Sequence, residues 1–497
     1  MSVKFSRRKL LGGAAAAGAF AAAAGFPMLF RRRKENILLI VLDAERGDKI
    51  GKAVNGAEVT PFQNRLAAEG VYCTQAFSAT PWTKSSVASI LAGQYPPYHG
   101  IEDFCYTLPN IPTLTSFLKG QGYFTFAVQT NPWLEGEINA GDVKKAKVGY
   151  GFNEPFDVYR YEGTSGTYAS ADKVKESFWR ILKIQMPLLG AAQPFFAYLH
   201  FMDTHEPWLG EAPTEFTGRF HSPELTRKLG AAGVFEKDKE VIAKLRADKS
   251  SASDEDKAIL QAVNDEAAAY LDSRLEEMLA RLEKDGAYEN TTVILTADHG
   301  DELLEHGCIG HCQNLYNTAL AVPLILRRRG LPAAKVEKRV SNAMIFATVR
   351  EWFGQGDPPN ATLFSLMPYA RDSRLDHCPV YANFNGDGKV ILPDGREALR
   401  LRGGVTQFFE LNGDPGEKRP LASDGAALAK LDGMESTMRR FAAEDKVARD
   451  GYPPSTHPWQ DVRDAHGESR APIKVTNTQG MSEERRRQLE ALGYIGH

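Results

Sequence analysis

The sequence predicts an α/β protein with a mostly parallel central sheet flanked by helices, followed by a small C-terminal α+β region that contains an antiparallel sheet. Two observations carry this prediction. Continuous apolar segments of strand length alternate with helical patterns over residues 35–370, and short segments separated by Gly-containing turns follow over residues 371–497. Strands that alternate with helices are typical of parallel sheets that are covered on both faces. We expect these two ranges to be a large domain and a small one.

Four apolar runs are the predicted strands of the first region, and one long amphipathic pattern is its clearest helix. Each run is short, apolar on both faces and bounded by turn residues, which indicates burial in a parallel sheet. The helix places an apolar residue on one face at every third or fourth position. The strands are Asn36–Leu42, Phe124–Val128, Phe195–His200 and Val293–Thr296, and the helix is Asp256–Lys284.

The C-terminal region shows four short alternating segments after a Pro- and Gly-rich connection at residues 335–375. Turn sequences with Asn-Gly, Asp-Gly or Gly separate them, as in hairpins. Residues 210–254 are charged and are predicted to be a turn-rich insertion that overhangs the site. The predicted C-terminal strands are Pro379–Ala382, Lys389–Leu392, Ala398–Leu401 and Gln407–Leu411.

Residues 1–34 resemble an export segment. Arg7-Arg8 precedes an Ala- and Gly-rich apolar run, which is typical of twin-arginine signals. We expect an exported, periplasmic or otherwise extracytoplasmic protein. The segment is either removed or kept as an N-terminal membrane tether. The formal charge of −3 gives no basic footprint for nucleic acid, and the sequence does not indicate an oligomeric state.

Candidate metal ligands follow two of the predicted strands. Asp43 ends the first strand, and Asp298-His299 ends the last one before a Gly turn. Because open α/β sheets place their chemistry at the carboxyl ends of strands, we expect these side chains to meet. Carboxylate oxygen and imidazole nitrogen are ligands for divalent metals. Individually, Asp43 is equally compatible with a helix cap and Asp298-His299 with a surface turn.

A third segment resembles the nucleophile region of sulfatases and their alkaline-phosphatase-superfamily relatives. It runs from Pro81 to Pro96 and is closed by His99-Gly100. In that resemblance Thr83 stands where sulfatases carry the Cys or Ser that becomes formylglycine. Threonine cannot be converted, so no formylglycine is expected and the hydroxyl needs a metal or base to activate it. The alternative is that Thr83 or Ser85 caps the following helix.

The resemblance extends over most of the chain after residue 35 and assigns further residues. His205 matches a substrate-contacting histidine, and His311 stands in the place of a sulfate-binding lysine. Later matches are Phe409–Glu417 and the tail Leu489–Gly496. The implied fold is that of alkaline phosphatase and the sulfatases.

Departures from the sulfatase pattern shift the expected chemistry toward phosphorus. Ala44 removes one carboxylate and His299 replaces an asparagine, which favours one Zn²⁺ or Mn²⁺ ion over Ca²⁺ or Mg²⁺. The resulting ligand set is Asp43, Thr83, Asp298 and His299. It resembles the threonine-nucleophile branch, which includes phosphodiesterases and envelope phosphoethanolamine and phosphoglycerol transferases.

Four residues are expected around the reacting group. Lys84, His205 and His311 would stabilise developing negative charge or supply a proton, and Asn131 would bind a phosphoryl oxygen. Lys84 is equally compatible with a solvated position on the first helical turn, and Asn131 with a turn residue.

Three functions follow from these expectations. The first is a hydrolase of small-molecule, glycan or lipid esters of phosphate, phosphonate or sulfate, with a covalent threonine intermediate. The second is an envelope transferase, and the third is a non-catalytic binding protein. Cys308 and Cys312 flank His311 and predict a local disulfide or two free thiols, with a second metal site as the weaker interpretation.

Overall fold

The computed structural model describes residues 34–436 except 103–107, 109–110, 135–150, 154, 164–167, 190–192, 209, 211–212, 357–362 and 373–378, and it leaves out the side chains of 186–189. The export segment up to residue 33 and the predicted tail Leu489–Gly496 lie outside the described residues. The strands are β1 (Asn36–Leu42), β2 (Ala53–Val54), β3 (Ala57–Glu58), β4 (Val71–Phe77), β5 (Phe124–Gln129), β6 (Val158–Tyr161), β7 (Phe195–Phe201), β8 (Thr291–Ala297), β9 (Glu302–Leu303), β10 (Ile309–Gly310), β11 (Ala321–Val322), β12 (Leu324–Arg327), β13 (Ala334–Ser341), β14 (Val380–Phe384), β15 (Asp387–Ile391), β16 (Arg396–Arg400) and β17 (Thr406–Glu410).

Helices cover the sheet and connect its strands. They are α1 (Pro61–Glu69), α2 (Thr83–Ala92), α3 (Pro96–His99), α4 (Leu114–Gly120), α5 (Ala171–Leu189), α6 (Pro223–Ala247), α7 (Asp254–Lys284), α8 (Asn317–Leu320), α9 (Ile345–Trp352) and α10 (Met367–Arg371). Short 3₁₀ turns lie at Gly47–Lys49, Pro132–Leu134, Lys249–Ser251, Tyr288–Asn290 and Asn342–Met344.

The large sheet has the order β11-β4-β12-β8-β1-β7-β5-β6, with β13 beside β4. Pairing is parallel between β1 and both of its neighbours, β7 and β8. It is also parallel from β7 through β5 to β6, while β11 and β12 run antiparallel to the rest. The predicted mostly parallel α/β fold is confirmed. The four strands and the long helix predicted for this region are present, with ends that differ by at most two residues.

The register of the three central strands places their carboxyl ends level. Leu42 of β1 pairs with Phe201 of β7 and with Ala297 of β8. The next residues along these strands are Asp43 and Asp298, which therefore leave the sheet side by side. Strands β7 and β8 are buried throughout, and so is β1 after Asn36. These strands are buried because helices pack on both sides of the sheet, and they therefore carry apolar side chains on both faces.

The predicted antiparallel sheet is formed by β14, β15, β16 and β17 in chain order. Asn385 and Gly386 take positive φ angles of 50° and 86° in the first hairpin, which explains the Asn-Gly sequence there. Lys389 on β15 is buried, and its Nζ lies 2.7 Å from Glu417 Oε1 and 3.0 Å from Glu397 Oε2. The same Nζ donates to Asn317 and to the backbone of Leu315, which links this sheet to the segment that follows His311.

The insertion at residues 210–254 differs from its turn-rich prediction, because most of it is helix α6. The helix is capped by Ser222, whose side chain accepts from Leu225 N, and its one break is at Gly230, where φ is 65°. Lys, Glu and Ala are good helix formers, so a charged segment is not evidence for turns. Buried apolar residues of α6 pack on α7 and outweigh its polar composition.

An imidazole between two acids also ties the insertion to α7. His221 Nε2 lies 2.8 Å from Asp238 Oδ1 on α6, and His221 Nδ1 lies 2.9 Å from Glu266 Oε1 on α7. All three side chains are buried. Among the helices of the described residues, none combines the length and the apolar character that a membrane crossing requires.

Candidate active site

The carboxylates of Asp43 and Asp298 face each other where β1 and β8 end. In each carboxylate one oxygen accepts protein hydrogen bonds and the other accepts none from the described residues. Asp298 Oδ1 accepts from the backbone N–H groups of Ala44 and His299, at 3.1 and 2.9 Å, and Asp43 Oδ2 accepts from two side chains. The buried oxygens without a donor are Asp43 Oδ1 and Asp298 Oδ2.

His299 directs its second ring nitrogen at these two oxygens. Its Nδ1–H donates to Gly300 O at 3.0 Å, so Nε2 carries the lone pair. His299 Nε2 lies 3.5 Å from Asp298 Oδ2 and 3.8 Å from Asp43 Oδ1. An acceptor nitrogen and two acceptor oxygens are thus buried together. Because unsatisfied buried acceptors are costly, this set fits a cation.

Thr83 completes the cluster from the first turn of α2. Its hydroxyl lies 3.2 Å from His299 Nε2, which accepts the hydrogen bond. The helix begins at Thr83, and its N-cap is Trp82, which makes no side-chain cap hydrogen bond. Neither Thr83 nor Ser85 is the N-cap residue, since Ser85 Oγ donates to Ile101 O. The helix-cap alternative is therefore wrong for both.

The structure brings the four residues of the predicted ligand set close together. Carboxylate oxygens, an imidazole nitrogen and a hydroxyl oxygen are suitable donors for Zn²⁺ or Mn²⁺, and the two orphan oxygens are the specific sign of fit. The geometry itself does not select one metal. The four atoms are Asp43 Oδ1, Thr83 Oγ1, Asp298 Oδ2 and His299 Nε2.

His205 and His311 lie beside this cluster. The ring centroids are 4.8 Å apart, and the His311 ring lies 4.3 Å from that of His299. Each ring is oriented by an Nδ1–H bond, from His205 to Glu206 O at 2.6 Å and from His311 to Asp301 Oδ1 at 2.9 Å. His205 Nε2 lies 4.0 Å from Asp43 Oδ1. His311 thus lies beside His299, and His205 beside Asp43.

Asn131 contacts Asp43 and Thr83 in addition to forming a turn. Its Nδ2 donates to Asp43 Oδ2 at 2.7 Å and to Thr83 Oγ1 at 3.3 Å. Its Oδ1 accepts from Trp133 N at 2.8 Å, as in an Asx turn, which fixes the orientation of the amide. The turn interpretation of Asn131 is therefore confirmed, and its amide stabilises the positions of Asp43 and Thr83.

Lys84 is fully buried, so the alternative of a solvated lysine on the first helical turn is wrong. It follows Thr83 on α2, a helix whose ten residues are all buried. An ammonium group at this position is within the protein interior, and buried cations need anionic or polar partners.

The site also contains a histidine that the sequence analysis missed. His200 is buried on β7, and its Nε2 lies 2.8 Å from Asp43 Oδ2. His200 was hidden inside a predicted apolar strand. The sequence did contain a signal for His200. It is a polar residue at the carboxyl end of an otherwise apolar predicted strand, and Asp43 was expected at the carboxyl end of another strand. Asp301, which orients His311, was missed as well, although it follows Asp298-His299 by two residues.

Charge and burial shift several pKa values in the site. The pKa of Asp43 is held below its usual range because His205, His200 and His299 outweigh the effect of burial. Burial and the neighbouring Asp43 raise the pKa of Asp298. Burial and the two adjacent imidazoles lower the pKa of His311 well below its usual range.

The cysteines next to His311 are free. Cys308 and Cys312 form no disulfide, and Cys312 Sγ lies 3.4 Å from Pro81 O. Burial raises the pKa of the Cys312 thiol well above its usual range. Of the two alternatives for this pair, the free-thiol interpretation is confirmed in this structure.

The sheet order and the cluster at its carboxyl edge define a protein of the alkaline-phosphatase-like class of α/β enzymes. The sulfatase family model matches residues 35–355. The chain therefore belongs to the sulfatase family, whose members are hydrolases and are generally metal-dependent.

Individual relatives agree on the fold. A sulfatase of Formosa agariphila is 23% identical over 450 residues, which cover 82% of this chain and 87% of that protein. Lipoteichoic acid synthase 2 of Bacillus subtilis is 24% identical over 340 residues, 64% of this chain and 45% of the synthase. The crystal structure of a phosphonate monoester hydrolase of Agrobacterium radiobacter superposes with a TM-score of 0.64 at 19% identity, covering 83% of this chain and 96% of that chain.

Proposed function

We propose that this chain hydrolyses phosphorus esters, either phosphate diesters or phosphonate and phosphate monoesters, with unmodified Thr83 as the nucleophile. The observation that carries the proposal is the position of the Thr83 hydroxyl. It lies 3.2 Å from His299 Nε2 and 3.3 Å from Asn131 Nδ2, within a cluster whose two orphan carboxylate oxygens lack donors. A threonine cannot supply the formylglycine hydrate on which most sulfatases depend.

Asp43, Asp298, His299 and Thr83 would hold one divalent cation, with Zn²⁺ or Mn²⁺ favoured by the imidazole. When bound, such an ion lowers the pKa of an adjacent hydroxyl and neutralises charge on an ester oxygen. The protein alone also orients the Thr83 hydroxyl. His299 Nε2 accepts a hydrogen bond from it, and Asn131 Nδ2 donates a hydrogen bond to its oxygen.

The reaction divides into two displacements. Thr83 releases its hydroxyl proton to solvent, its Oγ1 attacks phosphorus, the bond to the leaving oxygen breaks, and the departing alkoxide takes up a proton from a histidine. Water then attacks the phosphothreonine, the Thr83 oxygen–phosphorus bond breaks, and the threonine hydroxyl is restored. His205 and His311 border the reacting atoms, and one of them supplies and recovers the leaving-group proton. The nucleophile is Thr83 in the first step and water in the second, and the same surrounding groups act in both steps.

Negative charge on the transferred group would face two sources of positive potential, with two imidazoles beside them. Lys84 is a cation on the first turn of α2. Thr83 is the first residue of that helix, and helix N-termini favour anions. His205 and His311 complete the surroundings. Preorganised donors of this kind stabilise developing charge most when water is excluded, which matches the burial of these side chains.

We further propose that the insertion shapes substrate choice, as expected for a segment that overhangs the site. Two contacts support this. Arg246 at the end of α6 lies 3.1 Å from Glu206, the residue next to His205. Lys249 donates to Gln313 at 3.1 Å, two residues beyond His311. The insertion thus contacts both loops that carry His205 and His311. A substrate that reaches these histidines would pass Arg246 and Lys249, near the basic end of α6.

Residues 1–34, 35–370 and 371–497 remain our proposed division into export segment or tether, catalytic domain and small C-terminal subdomain. The twin-arginine pattern supports export to an extracytoplasmic compartment. A tether would place the site near membrane or envelope esters. Both arrangements are compatible with a small-molecule, glycan or lipid substrate.

The test uses the full chain with four substrates: an aryl sulfate, a phosphate monoester, a phosphate diester and a phosphonate monoester. We expect phosphorus-ester turnover that falls by at least about 10³-fold in Thr83→Ala and is lost with a chelator. Re-addition of Zn²⁺ or Mn²⁺ should restore the wild type but not this variant. Thr83→Ser should retain part of the activity because it keeps the hydroxyl.

Thr115→Ala is the matched control, since it removes another fully buried threonine hydroxyl, on α4. Turnover that survives in Thr83→Ala would refute the nucleophile. Thr83-dependent turnover that prefers sulfate would instead show sulfate hydrolysis by unmodified threonine. No Thr83-dependent turnover on any ester would favour a binding protein on this fold.

The second candidate is an envelope transferase, which the similarity to a lipoteichoic acid synthase favours. The same phosphothreonine would then be resolved by an acceptor alcohol rather than by water. Addition of a glycan or glycerol acceptor distinguishes the two. A transferred product that forms faster than the hydrolysis product would identify a transferase.

A further inference from the structure

A buried chain of hydrogen bonds leads from the sheet interior to Asp43. The Tyr198 hydroxyl lies 2.8 Å from His200 Nδ1, and His200 Nε2 lies 2.8 Å from Asp43 Oδ2. None of the three side chains exceeds 2% exposure. Tyr198 and His200 are two positions apart on β7, so both point to the same face of the sheet. None of the predicted catalytic roles uses Tyr198 or His200.

The directions of these bonds are fixed by their partners. Asp43 Oδ2 already accepts from the amide of Asn131, at 2.7 Å, and it accepts the Nε2–H of His200 in the same way. His200 Nδ1 then carries a lone pair, and the Tyr198 O–H is its donor. The tyrosine therefore selects the tautomer in which the histidine can donate to Asp43. With Tyr198 removed, the opposite tautomer, which cannot donate to Asp43, becomes accessible.

These contacts determine which oxygen of Asp43 is available. Two donors occupy Oδ2, while Oδ1 is without a donor among the described residues and lies 3.8 Å from His299 Nε2. A carboxylate held in this way presents a single oxygen in one orientation. Outer partners that orient a ligating carboxylate or imidazole are a general means of tuning metal sites.

We propose that Tyr198 and His200 are positioning residues that hold Asp43 Oδ1 toward Thr83, His299 and Asp298, and so set the cation affinity of the site. The inference rests on the proposed function, because it assumes that Asp43 ligates a cation. It goes beyond that function by adding two residues that touch neither substrate nor nucleophile. Their effect passes through Asp43 alone.

The experiment measures Zn²⁺ affinity of the full-length chain by competition with a chromophoric chelator. We expect His200→Ala to weaken Zn²⁺ binding about 10- to 100-fold, the usual size for an outer partner. Tyr198→Phe should weaken Zn²⁺ binding less, by roughly 3- to 10-fold. His200 remains in this variant, and only its preference for one tautomer is lost. His200→Gln should recover part of the loss, since its amide N–H can reach Asp43.

Tyr123→Phe is the matched control. Its side chain is also buried and its hydroxyl also donates a hydrogen bond, to Glu35 O at 2.8 Å, but at the opposite end of the sheet. It should lower the urea-unfolding stability of the metal-free protein as Tyr198→Phe does, and leave Zn²⁺ affinity unchanged. This comparison separates a positioning role from a merely structural one. If His200→Ala does not fold, Tyr198→Phe and His200→Gln decide the matter.

Two failures can be told apart. Wild-type protein that binds neither Zn²⁺ nor Mn²⁺ overturns the metal-dependent function, and this inference with it. Wild-type protein that binds Zn²⁺, with Tyr198→Phe and His200→Gln both binding as tightly, overturns the inference alone. A loss of affinity in Tyr198→Phe that Tyr123→Phe does not share supports it.

Discussion

Asn131 gives the sharpest test of how Thr83, the proposed nucleophile, is positioned. Asn131→Ala removes the 2.7 Å hydrogen bond to Asp43 Oδ2 and the 3.3 Å bond to Thr83 Oγ1. A hydrogen bond to a charged group contributes about 1.5–3 kcal/mol. Because Asp43 Oδ2 keeps its hydrogen bond to His200, we take about 1.5–3 kcal/mol as the total free-energy cost of Asn131→Ala. If it is expressed in the transition state, kcat/KM falls about 10- to 100-fold.

Asn131→Asp should be worse than Asn131→Ala, because it places an acceptor where Asp43 Oδ2 now receives a donor. Two carboxylates at this distance cannot both be ionised without a large cost. The assay is steady-state turnover of the best phosphorus ester, with Zn²⁺ affinity measured in parallel. Asn36→Ala, at the other end of β1, is the control for loss of an asparagine amide bond. A kcat/KM for Asn131→Ala within twofold of wild type would refute the reasoning.

Two further predictions concern stability. Against the opposing effect of burial, the hydrogen bonds that His221 donates to Asp238 and Glu266 raise its pKa to about 9. Because this folded-state pKa is above the unfolded value of about 6.5, the stabilisation, on the order of 3 kcal/mol, is complete below pH 6.5 and is lost as the pH rises through 9. Urea unfolding between pH 6 and 10 should show this decline in the wild type and not in His221→Gln, and parallel curves would contradict it. Lys389→Met leaves the buried Glu397 and Glu417 without their cation, and urea unfolding at pH 7 should show a loss of about 3–5 kcal/mol. Replacement of the exposed Lys418 by Met should change little, and equal effects of the two would exclude the buried network as the cause.

The sequence predicted the centre of the fold well and its periphery poorly. Strands β1, β5, β7 and β8 are apolar on both faces, so short continuous apolar runs identify them. Strands β4 and β13 were not predicted. Polar residues such as Thr74, Gln75 and Lys338 interrupt their patterns, and only pairing with neighbours makes these segments strands. Helix α6 shows the opposite error, because a charged segment became a helix by packing against α7.

For the site, local patterns located the residues but not their relations. Asp43 and Asp298 were predicted because an acid at the end of a buried strand is visible in the chain. The role of His200 depends on strand order, which places β7 beside β1 and cannot be read from one strand. Asn131 was expected to face the substrate, yet its amide is directed to Asp43 and Thr83. The direction of a side chain in a loop depends on tertiary contacts that no local pattern encodes.

The level ends of β8, β1 and β7 also constrain the order of assembly. The hydrogen bond from Ala44 N to Asp298 Oδ1 joins residues 254 positions apart. Closing so long a loop costs chain entropy before any contact repays it, and contacts of such separation form late in folding. The cation site proposed above takes side chains from both strands, so it forms only after β1 and β8 have paired. On that proposal, uptake of the cation would report that the sheet is complete.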